Sequence, residues 1–232
     1  MTPSNTLRQR ALEIAENLAA TYPDAACELD FSTPLELTVA TILSAQCTDV
    51  RVNSVTPQLF ETYPDAAAYA SADPEELSAI IAPTGFQNRK TSQLIKLGQA
   101  LLSDHGGEIP SDMGALTALP GVGRKTANVV RANAFGLPGL TVDTHFSRLV
   151  RRWELTQETK PDRIEFAMAK LLPEREWSNF SHRTIIHGRR VCKARKPACG
   201  ICVLQHCCPS VDWPVTSATL AHSQQAAKEF HA

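Results

Sequence analysis

Apolar side chains recur along this chain at helical spacing, whereas the alternating apolar and polar runs that indicate strands are scarce. In residues 89–104, Leu94, Leu97 and Leu101 fall at positions i, i+3 and i+7, so they would line one face of a helix. Asn88 is the predicted cap of that helix. The pattern as a whole predicts an all-α fold.

Proline and glycine mark where several of these helices begin and end. Thr33–Pro34 and Asp73–Pro74 each place a capping residue before a proline, so a helix is predicted to begin at each. Gly136 and Pro138 end another helix and mark a candidate domain edge. Further helices are predicted near residues 5–21, 49–61, 112–118, 124–135, 144–153, 161–172 and 176–191, and residues 213–232 are predicted to be a disordered tail.

The composition is that of a globular protein, since 43% of the 232 residues are hydrophobic and 20% are charged. No apolar run approaches the roughly 18 residues that a membrane span needs. The N-terminal segment carries Glu13 and Glu16 and lacks the apolar core of a secretory signal. We therefore expect a cytoplasmic protein that does not bind membranes, and a monomer because no heptad seam appears.

Charge is distributed unevenly, although the net charge is only −1. Residues 1–120 carry 15 acidic and 6 basic side chains, whereas residues 121–200 carry 16 basic and 7 acidic ones. Such an asymmetry suggests that the basic part faces a polyanion. On charge alone, a dipolar protein without a polyanionic partner remains a reasonable alternative.

Five of the seven cysteines lie within residues 192–208. Cys192, Cys199, Cys202 and Cys208 are spaced C-x6-C-x2-C-x5-C, a compact set that would surround one metal ion or one iron–sulfur cluster. A disulfide is disfavoured in a cytoplasmic chain. Zinc is the main alternative, but its four-cysteine sites commonly use two short C-x2–4-C pairs and only one is present here. The spacing therefore favours [4Fe–4S] modestly over zinc.

The loop between the first two cysteines of this set is basic. It contains Arg195 and Lys196, and no acidic residue occurs between residues 181 and 200. Clustered positive charges of this kind are suited to the phosphates of a nucleic acid. The alternative is a solvated surface whose charge offsets a negative cluster.

A glycine-rich turn stands before a predicted helix in LPGVGRKTANVV. Gly121 and Gly123 would let the backbone turn tightly, and the helix N-terminus at Arg124 favours an anion such as one phosphate. Lys125, in the first helical turn, is either a solvated surface lysine or a nucleophilic amine. Asp143, in the later VDTH motif, is either a helix N-cap or a carboxylate that moves protons beside that amine.

Together these motifs resemble a known family. LSAQCTD, the glycine turn, VDTH, HGRRVC and the cysteine set stand in the order and spacing of endonuclease III, and by them the chain is identified as a member of that family of helix–hairpin–helix DNA glycosylases. The resemblance implies a two-domain fold. A six-helix domain of residues 27–137, with the helix–hairpin–helix at about 112–135, would be inserted into a [4Fe–4S] domain of residues 1–26 and 138–212.

The resemblance also implies an activity. The family member would remove oxidised pyrimidines such as thymine glycol from duplex DNA and cut 3′ of the abasic site by β-elimination, so the expected partner is damaged or abasic DNA in the nucleoid. Lys125 would be the Schiff-base nucleophile and Asp143 its acid–base partner. Related adenine-removing glycosylases lack lysine at the nucleophile position, so Lys125 favours a bifunctional enzyme.

By the same resemblance, Gln46 would fill the gap left by a flipped base from one loop and Phe86 would wedge from another, while His145 contacts the DNA backbone nearby. The family usually has Leu at position 86 or Tyr after it, whereas Gln87 follows Phe86 here. Two alternatives to this activity stay open. One is a monofunctional or abasic-site-specific enzyme. The other is a non-catalytic DNA-binding or redox-sensing protein.

Overall fold

The computed structural model describes residues 5–211, and within that range it is helical and contains no strand. The predicted all-α fold is confirmed. No helix of this part of the chain is long and apolar enough to cross a membrane. The α-helices are α1 Asn5–Thr21, α2 Pro34–Leu43, α3 Asp49–Asn53, α4 Thr56–Thr62, α5 Ala66–Ala70, α6 Pro74–Ile81, α7 Gln87–His105, α8 Met113–Ala118, α9 Arg124–Ala134, α10 Thr144–Arg152, α11 Pro161–Ala169 and α12 Trp177–Arg190, with 3₁₀ turns at Ala82–Thr84, Glu174–Glu176 and Cys199–Ile201.

The chain divides into two compact units. One takes the chain up to Ala26 and again from Pro138 onward, and the other is Cys27–Leu137. The second unit contains α2 to α9, which are eight helices, whereas six were expected. Two of the eight, α3 and α5, are only five residues long. Each unit has its own hydrophobic core.

In the Cys27–Leu137 unit, α5 and α7 pack at close range. A Cβ atom on Gly98 of α7 would lie 2.6 Å from both the carbonyl oxygen of Ala66 and the amide nitrogen of Ala70, so this approach requires glycine. Tyr69 of α5 is buried and stacks on Tyr63, with their ring centroids 5.3 Å apart. This packing stabilises a helix that would be too short to form alone.

The core of the other unit is built around aromatic side chains from α10 and α12. Phe146 and Phe180 meet edge to face, with centroids 5.7 Å apart, and Trp153 lies 6.4 Å from Phe180. Ile14 and Leu18 of α1 belong to the same buried cluster. The N-terminal helix therefore completes the core of the C-terminal segment.

The predicted caps are confirmed at two helices and wrong at a third. Thr33 Oγ1 accepts a hydrogen bond from an amide of the first turn of α2, and Asp73 does the same for α6. The helix predicted to start after Asn88 begins earlier, at Gln87, and its N-cap residue is Phe86 with φ 54°. A left-handed residue there lets the chain turn into α7 without a capping side chain.

The single helix predicted over residues 49–61 is wrong, since the structure divides it into α3 and α4. Pro57 stands in the first turn of α4, where its missing N–H does no harm, whereas inside a longer helix it would remove a hydrogen bond. Helix α5 is not among the predicted helices, because its five residues carry too little pattern. The predicted tail, residues 213–232, lies outside the described residues.

Candidate functional site

The turn between α8 and α9 depends on one of its two glycines. Gly121 has φ +80°, and a Cβ atom there would lie 3.2 Å from Ile42 Cδ1 and 3.3 Å from Gln93 Cβ. Gly123 has φ −91° and no heavy atom near its Cβ direction. The fold therefore needs glycine at 121, whereas at 123 glycine leaves open space beside the N-terminus of α9.

Lys125 lies in the first turn of α9, and its side chain is exposed. No acidic residue occurs in that turn, and the N-cap residue Gly123 provides no side-chain acceptor for the amides of the turn. Arg124 precedes Lys125 and is half-buried. The helix end thus presents a partial positive charge and an exposed amine to an incoming anion.

Two other predicted DNA-contact residues lie beside this turn in the same unit. Gln46 and Phe86 line a cavity of about 140 Å³, which Gly121 also lines. Both side chains are exposed, Phe86 by 58%, and both residues have positive φ, 56° and 54°. The structure therefore brings the two predicted wedge residues and the glycine turn to one place.

The remaining predicted residues belong to the other unit. Asp143 is the N-cap of α10, and its Oδ1 accepts a hydrogen bond of 2.7 Å from the amide of Phe146, which confirms the capping interpretation. His145 lies two residues further on, with its Nδ1 3.2 Å from Arg148 Nη2. A Cβ atom on Gly188 would lie 3.0 Å from His145 Cβ, so glycine lets α12 approach α10 here.

The four cysteines predicted as ligands line one cavity of about 390 Å³ in this unit: Cys192, Cys199, Cys202 and Cys208. Cys207 does not line it. The Cys207 thiol points to the carbonyl oxygen of Leu204, 3.6 Å away, and lies near Glu13 and His206. The structure therefore separates the predicted ligand set from the adjacent fifth cysteine.

Nitrogen atoms approach two of these sulfurs. Arg152 Nη1 lies 3.2 Å from Cys192 Sγ, and His187 Nε2 lies 3.4 Å from Cys202 Sγ. Burial lowers the pKa of His187 to about 4, so its ring is neutral. Tyr22 Oη lies 3.0 Å from His187 Nδ1. When the tyrosine hydroxyl donates to Nδ1, the imidazole proton is on Nε2, and this N–H donates to the sulfur of Cys202.

These surroundings suit a metal–thiolate group. Burial raises the pKa of the Cys202 thiol to about 12, so the sulfur gives up its proton only when a cation is there to balance the thiolate. Four cysteines that line one cavity, with nitrogen atoms within hydrogen-bonding distance of two of their sulfurs, fit the ligands and the outer hydrogen bonds of an iron–sulfur cluster.

The loop after Cys192 is shaped by arginine. Arg152 also donates to the carbonyl oxygens of Lys193 and Ala194, at 2.9 and 2.7 Å. Arg195 and Lys196, further along this loop, are exposed. Sequence reasoning missed Arg152 and His187, because Arg152 is one of three arginines of an amphipathic helix and His187 appeared only within the HGRRVC motif.

The fold and the helix–hairpin–helix with its exposed lysine define a class of proteins that act on DNA. A family model described as "HhH-GPD superfamily base excision DNA repair protein" matches residues 39–174. The endonuclease III of Synechocystis sp. is 53% identical over 204 residues, which cover 88% of this chain and 93% of that protein. The chain belongs to the endonuclease III family, as the sequence motifs predicted.

Two solved structures agree. A non-covalent endonuclease III–DNA complex matches with a TM-score of 0.84 and 41% identity, covering 88% of this chain and 95% of that one. A trapped endonuclease III–DNA covalent intermediate matches with the same score and identity, covering 88% and 96%. The chain is thus a base-excision-repair enzyme, a bifunctional DNA glycosylase and lyase, and its family is consistent with an iron–sulfur cofactor.

Proposed function

We propose that this enzyme removes oxidised pyrimidines such as thymine glycol from duplex DNA and cuts the strand at the resulting abasic site through an imine on Lys125. The observation that carries the proposal is the exposed amine of Lys125 in the first turn of α9, directly after the glycine turn. An exposed lysine elsewhere on this helix would have no particular relation to DNA. At the N-terminus of α9, the amine lies next to the place where a DNA phosphate would bind.

In this proposal the DNA backbone binds at two places. One phosphate is bound by the amides at the N-terminus of α9, which the missing side chain of Gly123 leaves accessible. Arg195 and Lys196 contact phosphates from the basic loop of the other unit, and His145 contacts the backbone as well. Such contacts position the duplex without reading its sequence.

The damaged nucleotide must leave the base stack before the amine can reach it, at a cost of a few kcal/mol. We propose that Gln46 and Phe86 fill the space that the nucleotide leaves. Their support is their common position on one cavity, the exposure of both side chains and the positive φ of both residues, which is uncommon outside glycine.

The chemistry then follows from the lysine. Its uncharged amine attacks C1′, the bond to the base breaks, and the base leaves with the bonding electron pair. The nitrogen then loses a proton, and its lone pair breaks the C1′–O4′ bond; O4′ takes up a proton, the sugar ring opens, and a protonated imine joins Lys125 to C1′. The imine makes the C2′ proton acidic, and removal of that proton expels the 3′ phosphate and cuts the strand. We assign to Asp143 the transfer of protons and the stabilisation of positive charge on the sugar. Its capping bond to Phe146 fixes the carboxylate in place.

We further propose that residues 138–212 together with residues 1–26 form a domain that binds [4Fe–4S], and that residues 27–137 form the helix–hairpin–helix domain. Cys192, Cys199, Cys202 and Cys208 would hold the cluster, and His187 and Arg152 would donate to its thiolates. When bound, the cluster supplies a rigid centre around which the basic loop keeps its shape.

Borohydride trapping tests the proposal. The holoprotein is incubated with thymine-glycol or abasic duplex in the presence of the reductant, which should yield a stable protein–DNA adduct that peptide mapping places on Lys125. Lys125→Gln should abolish the adduct and strand cleavage but keep the iron content and much of the DNA affinity. Lys96→Gln, an exposed lysine of α7 in the same unit, is the matched control and should behave as wild type. An adduct on another residue would refute the assignment of Lys125.

A further inference from the structure

A lysine of α7 is buried where an apolar side chain would be expected. Lys90 is only 3% exposed, and its Nζ donates to the carbonyl oxygens of Leu43 and Thr84 at 2.7 and 2.9 Å. Its third contact, at 3.4 Å, is the hydroxyl of Thr84. All three acceptors are uncharged.

Burying this cation is unfavourable, and burial lowers the pKa of Lys90 accordingly. Hydrogen bonds to the two carbonyl oxygens offset this cost, because both oxygens lie at helix ends, where the next turn provides no amide donor. Leu43 is the last residue of α2, where carbonyl groups lack helical donors and carry a partial negative charge, and Thr84 ends a 3₁₀ turn. The ammonium therefore joins the ends of two segments that are far apart in sequence.

Each of these ends leads directly into a predicted wedge residue. Gln46 follows Leu43 by three positions, and Phe86 follows Thr84 by two. Among the described residues other than glycine, positive φ angles occur at Gln46, Phe86 and Glu154. Left-handed geometry is disfavoured for such residues and persists where the surrounding structure enforces it.

We propose that Lys90 is a positioning residue that holds the loops of Gln46 and Phe86 in the spacing that a two-sided wedge requires. It acts through the backbone of both loops, and the cavity that Gln46 and Phe86 line is also lined by Lys90. The backbone of Lys90 contributes too, since its amide donates to the carbonyl oxygen of Phe86 at 3.0 Å. The inference rests on the proposed function, in which these two side chains replace the flipped nucleotide.

If Lys90 positions the wedge, its loss should affect duplex and single-stranded substrates differently, which a purely structural role would not predict. A wedge matters only where a nucleotide must be taken out of a base stack. An abasic site in single-stranded DNA needs no such step, yet it reacts with the same amine. Loss of the wedge geometry should therefore slow strand cleavage of duplex DNA and leave cleavage of single-stranded abasic DNA unchanged.

The test compares Lys90→Met with Lys96→Met, which removes an exposed ammonium from the same helix. Single-turnover cleavage is measured on an abasic duplex and on the single-stranded abasic oligonucleotide, with the holoprotein. Lys90→Met should lower the duplex rate by roughly 10- to 100-fold, the scale of a 1 Å misplacement, and the single-stranded rate by less than about twofold. Lys96→Met should match wild type on both substrates.

A second measurement asks whether Lys90 acts through the wedge. In a Gln46→Ala/Phe86→Ala background the wedge is already absent, so adding Lys90→Met should cause little further loss on duplex DNA. If Lys90→Met does not fold, Lys90→Gln, which keeps a donor group, takes its place under the same criteria.

Equal loss of activity on both substrates would overturn the proposal, because Lys90 would then only stabilise the fold. A duplex rate within about twofold of wild type would overturn it as well. Wild-type protein that cleaves neither substrate would instead refute the proposed lyase function, so the two failures are distinguishable.

Discussion

The two units hold their functional loops in different ways. In the Cys27–Leu137 unit, a protein side chain ties the loops of Gln46 and Phe86 together, because the ammonium of Lys90 joins the end of α2 to the 3₁₀ turn that follows α6. In the other unit, the loop after Cys192 borders a cavity lined by four thiols. Arg152 supports that loop from one side, and the proposed cluster would hold the four sulfurs together.

The two units also differ in net charge. The Cys27–Leu137 unit contains 12 acidic and 7 basic residues, whereas the rest of the chain contains 12 acidic and 16 basic ones. The unit that holds the amine and the wedge residues is therefore acidic overall, and the unit that holds the thiols is basic. The comparison suggests that one unit supplies the nucleophile and the wedge residues, whereas the other supplies Asp143 and most of the electrostatic attraction for DNA.

The largest effect is expected from losing a cluster ligand. Cys202→Ser should abolish iron binding, because this sulfur is buried and lies 3.4 Å from His187 Nε2, whereas wild type should contain about four irons per chain. Cys207→Ser is the matched control and should keep its iron, since that thiol faces Leu204 outside the cavity. Metal analysis of the purified proteins decides. Loss of iron in the Cys207 variant alone would show that the ligand set is wrong.

The next effect concerns attraction for DNA. Replacing Arg195 and Lys196 with Gln should reduce the slope of log K against log salt concentration by about 2 on undamaged duplex, one for each lost phosphate contact. Replacing Arg51 and Lys96, two exposed basic residues of the acidic unit, should leave the slope nearly unchanged. The slopes come from anisotropy titrations across a range of salt concentrations. A larger change from the second pair would place the DNA on the acidic unit.

The smallest effect separates the two glycines of the turn before α9. Gly121→Ala should lower the free energy of unfolding by roughly 1–2 kcal/mol, because φ is +80° and Ile42 and Gln93 crowd the position. Gly123→Ala should change stability by less than about 1 kcal/mol, because its φ is ordinary and the reduced freedom of the unfolded chain offsets the poorer N-cap that alanine provides. Denaturant unfolding of both variants provides the measurement.

The same pair of variants also tests the phosphate site. Gly123→Ala should weaken binding of duplex DNA by about tenfold although its fold is intact, because a methyl group would obstruct the amides of the helix N-terminus. Unchanged affinity in the Gly123 variant would mean that no phosphate binds at that helix end.

Much of the fold was accessible from the sequence because the signals are local. Thr33, Asp73 and Asp143 each cap a helix within three residues, so their capping roles could be predicted from short stretches of chain. The four cysteines that line one cavity are likewise within 17 residues of each other. Where the local signal was short or absent, prediction failed, as for α5 and for the cap of α7.

Tertiary structure alone decided which distant groups meet. Nothing in the sequence near Lys90 indicates that its ammonium reaches Leu43, which is 47 positions away. Likewise Arg152 reaches Cys192 over 40 positions, and Tyr22 reaches His187 over 165. Hydrophobic spacing specifies which face of a helix is buried, but the partners of a buried polar group depend on how whole helices pack against each other. The sequence alone therefore determined the helices and the candidate chemistry, and packing determined the contacts that hold them in place.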